Sequence, residues 1–129
     1  MNFIFYSRLE YEKGFDLLIE SLRSFETLPG NFFIFSGGGL EKSLFEAFSG
    51  NPNFEDCSRW SEEKIRSLSE NLPTEPKIYY FSWQSKERII DRFLSISHFS
   101  LVPSRFLETF GLVALESLAV GVPVIGFKK

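Results

Sequence analysis

The chain has 129 residues, a length that suits one domain able to bury about two thirds of its unfolded surface around a single core. With 14 Lys and Arg against 17 Asp and Glu, a formal charge of -3 gives no basic footprint, so no nucleic acid is expected as a partner. A hydrophobic share of 43% excludes a disordered chain, while 16 phenylalanines raise the question of whether some rings pack outside this core.

Residues 2–7 form the first of five apolar runs that read as strands. Phe15, Leu18, Ile19, Leu22 and Phe25 then recur at helical spacing, and Pro29-Gly30 ends that unit. The second run, 32–36, leads into Gly37, Gly38 and Gly39. A helical stripe of Leu40, Leu44, Ala47 and Phe48 comes next, closed by Gly50-Asn51-Pro52. Residues 49–76 break the rhythm with Asn, Pro, Ser and charges around a predicted helix at 61–71, and they read as a surface insertion. The third run, 77–82, ends on Ser82-Trp83 and precedes a stripe of Ile89, Ile90, Phe93 and Leu94. The fourth run is 99–102, and the fifth is 122–127. Between them a helix over 110–120 is apolar on nearly every side, which predicts burial all round. The runs are continuously apolar and alternate with helices. This pattern predicts an α/β fold: a Rossmann-like, doubly wound parallel sheet of about five strands with helices on both faces.

A single cysteine, Cys57, excludes an internal disulfide framework and fits a reducing compartment. It could serve as a reactive thiol only with His98, the one imidazole in the chain. The start Met-Asn-Phe-Ile-Phe-Tyr-Ser-Arg reaches a charge at position 8 and does not read as a signal peptide. The most apolar stretch, 110–127, is interrupted by Glu116 and Pro123, whereas a spanning helix needs roughly 20 uninterrupted apolar residues. The expectation is a cytoplasmic protein.

In an open parallel sheet ligands bind outside the carboxyl ends of the strands, so the residues just past each strand decide the chemistry. Arg8 and Lys13 come after the first, Gly37-Gly38-Gly39 after the second, Ser82-Trp83 after the third, and Pro103 to Gly111 after the fourth. Two cations, a glycine loop, a carboxylate at Glu108 and a helix start suit an anionic, hydroxyl-rich ligand such as a nucleotide sugar. Each element also has a plainer role: the glycines can simply turn, the cations can be solvated, and Ser104 can cap. Trp83 can stack on a base, pack in the core or pack against the 49–76 insertion. No G-x-G-x-x-G stands after the first strand, which disfavours a nicotinamide or flavin enzyme. Glu116 shares a helical face with Leu112, Leu115 and Ala119, and a carboxylate in so apolar a helix needs a partner. That partner is either structural or a ligand.

The run Glu108-Thr-Phe-Gly-Leu-Val-Ala-Leu-Glu116 resembles the E-x7-E signature of retaining glycosyltransferases of family 4 (group 1), of the GT-B fold. Pro103-Ser104 before it and Ala119-Val-Gly-Val-Pro-Val-Ile-Gly126 after it agree. Upstream, Arg8-Leu9 with Glu12-Lys13-Gly14 resembles the family's arginine and lysine pair, and Phe35-Ser-Gly-Gly-Gly-Leu-Glu41 its glycine loop. The chain departs from the family at Leu40, where proline is frequent, at Ser82, where glycine is usual, and over 49–76.

The resemblance implies the C-terminal, donor-binding domain of such an enzyme, spanning 1–129 and lacking both the N-terminal acceptor domain and the last elements of its own fold. Glu116 would hold the ribose hydroxyls and Glu108 those of the transferred hexose. Arg8 and Lys13 would neutralise the diphosphate as it leaves, and the amides of Phe110, Gly111 and Leu112 would support phosphate or sugar. Ser82 and Trp83 would lie near the base. The donor would be a UDP-, GDP- or ADP-sugar, with no metal or other cofactor. The acceptor would be a glycan or glycolipid, placing the full-length protein in polysaccharide or glycolipid synthesis at the membrane face. Alternatives are a non-catalytic nucleotide-sugar-binding or interaction module, or a GT-B epimerase or phosphorylase. Phe106 and Phe110 are the rings expected beside the cleft.

Overall fold

The structure is a computed structural model that describes residues 1–7, 14–36, 41–103 and 112–126. Six strands form one sheet: β1 (Asn2–Tyr6), β2 (Asn31–Ser36), β3 (Phe54–Asp56), β4 (Ile78–Ser82), β5 (Phe99–Val102) and β6 (Val124–Gly126). Their order is β3-β4-β2-β1-β5-β6, and every pairing is parallel. The chain winds outward from β1 through β2, then returns to the other side of β1 for β5 and β6. The sheet is therefore doubly wound, with its switch point between β1 and β5.

Helices α1 (Phe15–Arg23) and α2 (Glu41–Ala47) cover one face, packing Phe15, Leu18, Leu22 and Leu44 on Phe5, Phe32, Ile34 and Tyr80. The other face carries α3 (Glu62–Glu70), a π-helical turn Lys86–Ile90 running into α4 (Asp91–Ser95), and α5 (Leu112–Ala119). There Ile65, Ile89, Ile90, Phe93 and Leu94 meet Ile4, Tyr6, Phe33, Phe35, Tyr79 and Phe81. The two sets of strand residues alternate along each strand, as the pleat requires.

Much of the phenylalanine is spent inside the domain. Phe35 and Phe81 are register partners on β2 and β4, and their rings stack at 4.5 Å. Phe93 from α4 meets Phe33 edge-on at 4.9 Å. Such cross-strand and edge-to-face pairs add to the area they bury.

Three local features differ from the sequence expectations. Helix α1 stops at Arg23, because the Ser24 hydroxyl donates to the Ser21 carbonyl at 2.6 Å; Phe25 then lies beyond the helix, its ring near that of Phe32. Residues 49–76 supply a sixth strand, β3, hydrogen-bonded along β4, and bury Cys57 and Ile65 completely. The predicted helix in that segment is α3, with Ser61 as its N-cap accepting from the Lys64 amide. Finally, α5 is not buried all round: Leu115, Leu118 and Val120 stand half exposed or more.

Candidate functional site at the switch point

Strands β1 and β5 lie side by side where the strand order reverses. Gly14 closes the loop after β1 with φ at 75°, and a Cβ there would lie 1.7 Å from the Pro103 carbonyl oxygen, just past β5. Only glycine permits both the left-handed backbone and that approach. Gly14 and Pro103, the described residues that border the two segments expected to carry ligand-binding residues, are thereby brought together.

On this edge the structure assembles a polar cluster around Glu116. Tyr6, the last residue of β1 and 2% exposed, donates its hydroxyl to Glu116 Oε2 at 2.9 Å; the same hydroxyl lies 3.4 Å from the Val113 carbonyl. Burial pushes the Tyr6 phenol well above its ordinary range, and the charges of Glu116 and Asp91 push it further, so it stays a donor. Lys86 Nζ sits 2.8 Å from Asp91 Oδ1 and 3.7 Å from Glu116 Oε2. The hydrogen bond with Asp91 is the main cause raising the Lys86 pKa, so the ammonium stays charged. The Glu116 side chain is 30% exposed. Both contacts fall on Oε2, and among the described residues none reaches Oε1.

A second tyrosine–carboxylate pair lies one strand beyond β2. The buried Tyr80 hydroxyl, on β4, donates to Glu41 Oε2 at 3.1 Å and lies 3.4 Å from the Ser36 carbonyl. Burial pushes this phenol up to about 12; the hydrogen bond at Ser36 opposes it, and the charge and hydrogen bond of Glu41 add to it. Glu41 stands in the first turn of α2, where a negative charge is favoured by the helix dipole.

Ser82 ends β4 with its hydroxyl donating to the Ser58 carbonyl at 3.2 Å and accepting from Gln84 Nε2, so it is tied to segment 49–76. Trp83 is 48% exposed, which removes the core-packing reading of that ring. Leu112 opens α5. Arg8, Lys13, Gly37, Gly38, Gly39, Glu108, Phe110 and Gly111 lie outside the described residues, as does Phe106. Sequence reasoning found Glu116 but missed Tyr6, Lys86 and Asp91. A signal existed for the first: Tyr6 is the one phenol in its strand, placed at the carboxyl end.

The cysteine has no place in this chemistry. Cys57 is fully buried, and burial, with Glu55 and Asp56 adding, pushes its thiol far above the range of a nucleophile. Among the described residues no cluster of His, Cys, Asp and Glu could hold a metal ion. No described helix is long and apolar enough to cross a membrane.

A doubly wound parallel sheet whose switch point is lined by an anchored carboxylate defines a Rossmann-like protein of the kind that makes up GT-B glycosyltransferases. The comparison with known families is specific: the chain belongs to the glycosyl transferases group 1, whose family model matches residues 2–129. It is 30% identical over 124 residues to a D-inositol 3-phosphate glycosyltransferase of Acidothermus cellulolyticus, covering 95% of this chain and 25% of that one. The chain thus spans about a quarter of that relative's length. The solved apo structure of OtsA aligns over 98% of this chain and 28% of its own, with a TM-score of 0.59 at 14% identity. That likeness is one of fold.

Proposed function

We propose that the chain is the donor-binding portion of a retaining hexosyltransferase, one that takes a nucleotide-diphosphate sugar and passes the hexosyl group to an acceptor hydroxyl held with a second domain. One observation carries the reading. Glu116, the second carboxylate of the E-x7-E run, sits at the switch-point edge with one oxygen fixed by Tyr6 and the other facing no described partner. A carboxylate so prepared accepts ribose hydroxyls without first having to be ordered. The family membership supports transfer from a nucleotide sugar.

In this reading Glu108 holds hydroxyls of the hexose. Arg8 and Lys13 meet the diphosphate, whose negative charge grows as the glycosidic bond breaks; preorganised cations lower that barrier. The amides of Phe110, Gly111 and Leu112 and the loop Gly37, Gly38 and Gly39 support phosphate and sugar, and Ser82 and Trp83 border the base. No step draws on a metal. The acceptor is a glycan or glycolipid, and the protein works in the cytoplasm, at the membrane face when full-length.

Titration calorimetry with UDP-, GDP- and ADP-sugars on the wild type and on Glu116→Ala tests the assignment. Loss of charge-assisted bonds to ribose should cost about 1.5–3 kcal/mol of affinity. Equal affinities for the two proteins would remove Glu116 from the donor site.

A further inference from the structure

We infer that Lys86, anchored by Asp91, is a positioning residue that orients Glu116 and thereby gives the site its preference for ribonucleotides over deoxyribonucleotides. This inference rests on the proposed role of Glu116 as the ribose ligand. The geometry makes Oε2 the inward oxygen. Tyr6 reaches it from the end of β1, and the Lys86 ammonium approaches it from the π-helical turn after β4. A hydrogen bond from one element and a positive charge from another hold Oε2 inward, where the hydrogen bond alone would leave the carboxylate freer to turn. Oε1 is then the oxygen left without a contact among the described residues.

Lys86 does not behave as a plain surface staple. Its short contact, 2.8 Å, is to Asp91, five residues along its own segment, and the 3.7 Å to Glu116 is beyond hydrogen-bond length. Asp91 therefore fixes where the ammonium stands, and the ammonium acts on Glu116 through charge. The Lys86 side chain is 38% exposed and stands on the segment just after Ser82 and Trp83, so it borders the ligand edge. Without its charge, Tyr6 alone would hold Oε2, the carboxylate could swing, and ribose hydroxyls would lose a fixed acceptor.

The test is binding of UDP, GDP and ADP against their 2′-deoxy and 3′-deoxy counterparts, measured for the wild type, Glu116→Ala, Lys86→Met, Lys86→Arg and Asp91→Asn. The wild type should prefer at least one ribonucleotide by about tenfold or more, the ratio carried by one charge-assisted hydrogen bond. Glu116→Ala should abolish that ratio, Lys86→Met should reduce it to within about threefold, and Lys86→Arg should retain most of it. Asp91→Asn should lower it partway, which covers the case of a Lys86→Met protein that does not fold. A structural role would shift melting temperature and weaken ribo- and deoxyribonucleotides alike. If Glu116→Ala abolishes the ratio while Lys86→Met and Asp91→Asn keep it, the positioning role is overturned and the donor-site reading stands. If Glu116→Ala keeps the ratio, or no nucleotide binds the wild type, both fall together.

Discussion

The sheet is built differently on the two sides of its β1–β5 junction. On the β1-β2-β4 side, Ile4, Tyr6, Phe33, Phe35, Tyr79 and Phe81 line one face, none more than 2% exposed, and their rings stack across the strands. On the β5-β6 side, Ile125 is 36% exposed, α5 turns Leu115 and Leu118 outward, and Val120 just beyond it is exposed too. The excess of phenylalanine that suggests an outside partner is absorbed mostly within the first side. Among the described residues the uncovered apolar surface of the second side is aliphatic, whereas Phe25 and Trp83 are exposed rings on the first. The helix that bears Glu116 is thus on the thinly packed side, while Tyr6 and Lys86, which hold that carboxylate, come from the closed side. Position at the site is set by polar contacts across the junction together with the inner contacts of α5.

The largest effect should come from breaking the closed side. Phe33→Ala removes a fully buried ring that meets both Tyr79 and Phe93 and should cost about 3–5 kcal/mol, read as a lower urea midpoint. A cost near 1 kcal/mol would mean that the ring stack relaxes easily and that the two sides differ little. The next effect is a pH dependence on the same side. The Tyr80 phenol titrates near its ordinary 10 when unfolded and at about 12 when folded, so between these values the unfolded chain binds fewer protons. Stability should therefore fall as pH rises through that window, by about 3 kcal/mol at most from this group. Denaturation midpoints for Tyr80→Phe should drop less steeply there than those of the wild type; parallel curves would show that Tyr80 is not the group responsible.

The closed side was largely readable from sequence, because continuous apolar runs and helical stripes report burial directly. The positions of β1, β2, β4 and β5 follow from that rule within a residue. It fails where burial and composition part company. Strand β3, Phe-Glu-Asp, is short and polar because an edge strand pairs on one side only and faces solvent with the rest. Helix α5 misleads in the opposite sense: its apolar composition predicts enclosure, but composition does not name the neighbours that would supply it. Glu116 stands out in sequence as a charge in an apolar helix. Its partner Tyr6 lies 110 residues away, and only the closing of β1 against β5 brings the two together.

Across the junction, Tyr6→Phe deletes one hydroxyl and keeps the ring in its place among Ile4, Phe33 and Phe35. It should cost about 0.5–1.5 kcal/mol of stability. Nucleotide affinity should fall as well, because Glu116 would lose the donor that fixes Oε2. Tyr80→Phe at neutral pH should cost a similar amount of stability without that loss of affinity. Equal losses of affinity in both variants would place Glu41, like Glu116, in the ligand edge and erase the distinction between the two pairs.

The smallest expected effect lies on the open side. Leu118 is 53% exposed on α5, so its removal withdraws little surface from the core and leaves no enclosed cavity. Leu118→Ala should change stability by no more than about 0.5 kcal/mol in urea denaturation. A loss of about 2 kcal/mol would mean that something covers the outer face of α5 in solution. If the cover is a second copy of the chain, the loss should grow with protein concentration, because association stabilises the folded state by mass action. A small loss at every concentration would instead confirm that α5 is held by its inner contacts. Those are Val113 against the closed side, the Ser117 carbonyl accepting from the Val122 amide at 2.8 Å, and the Tyr6–Glu116 hydrogen bond.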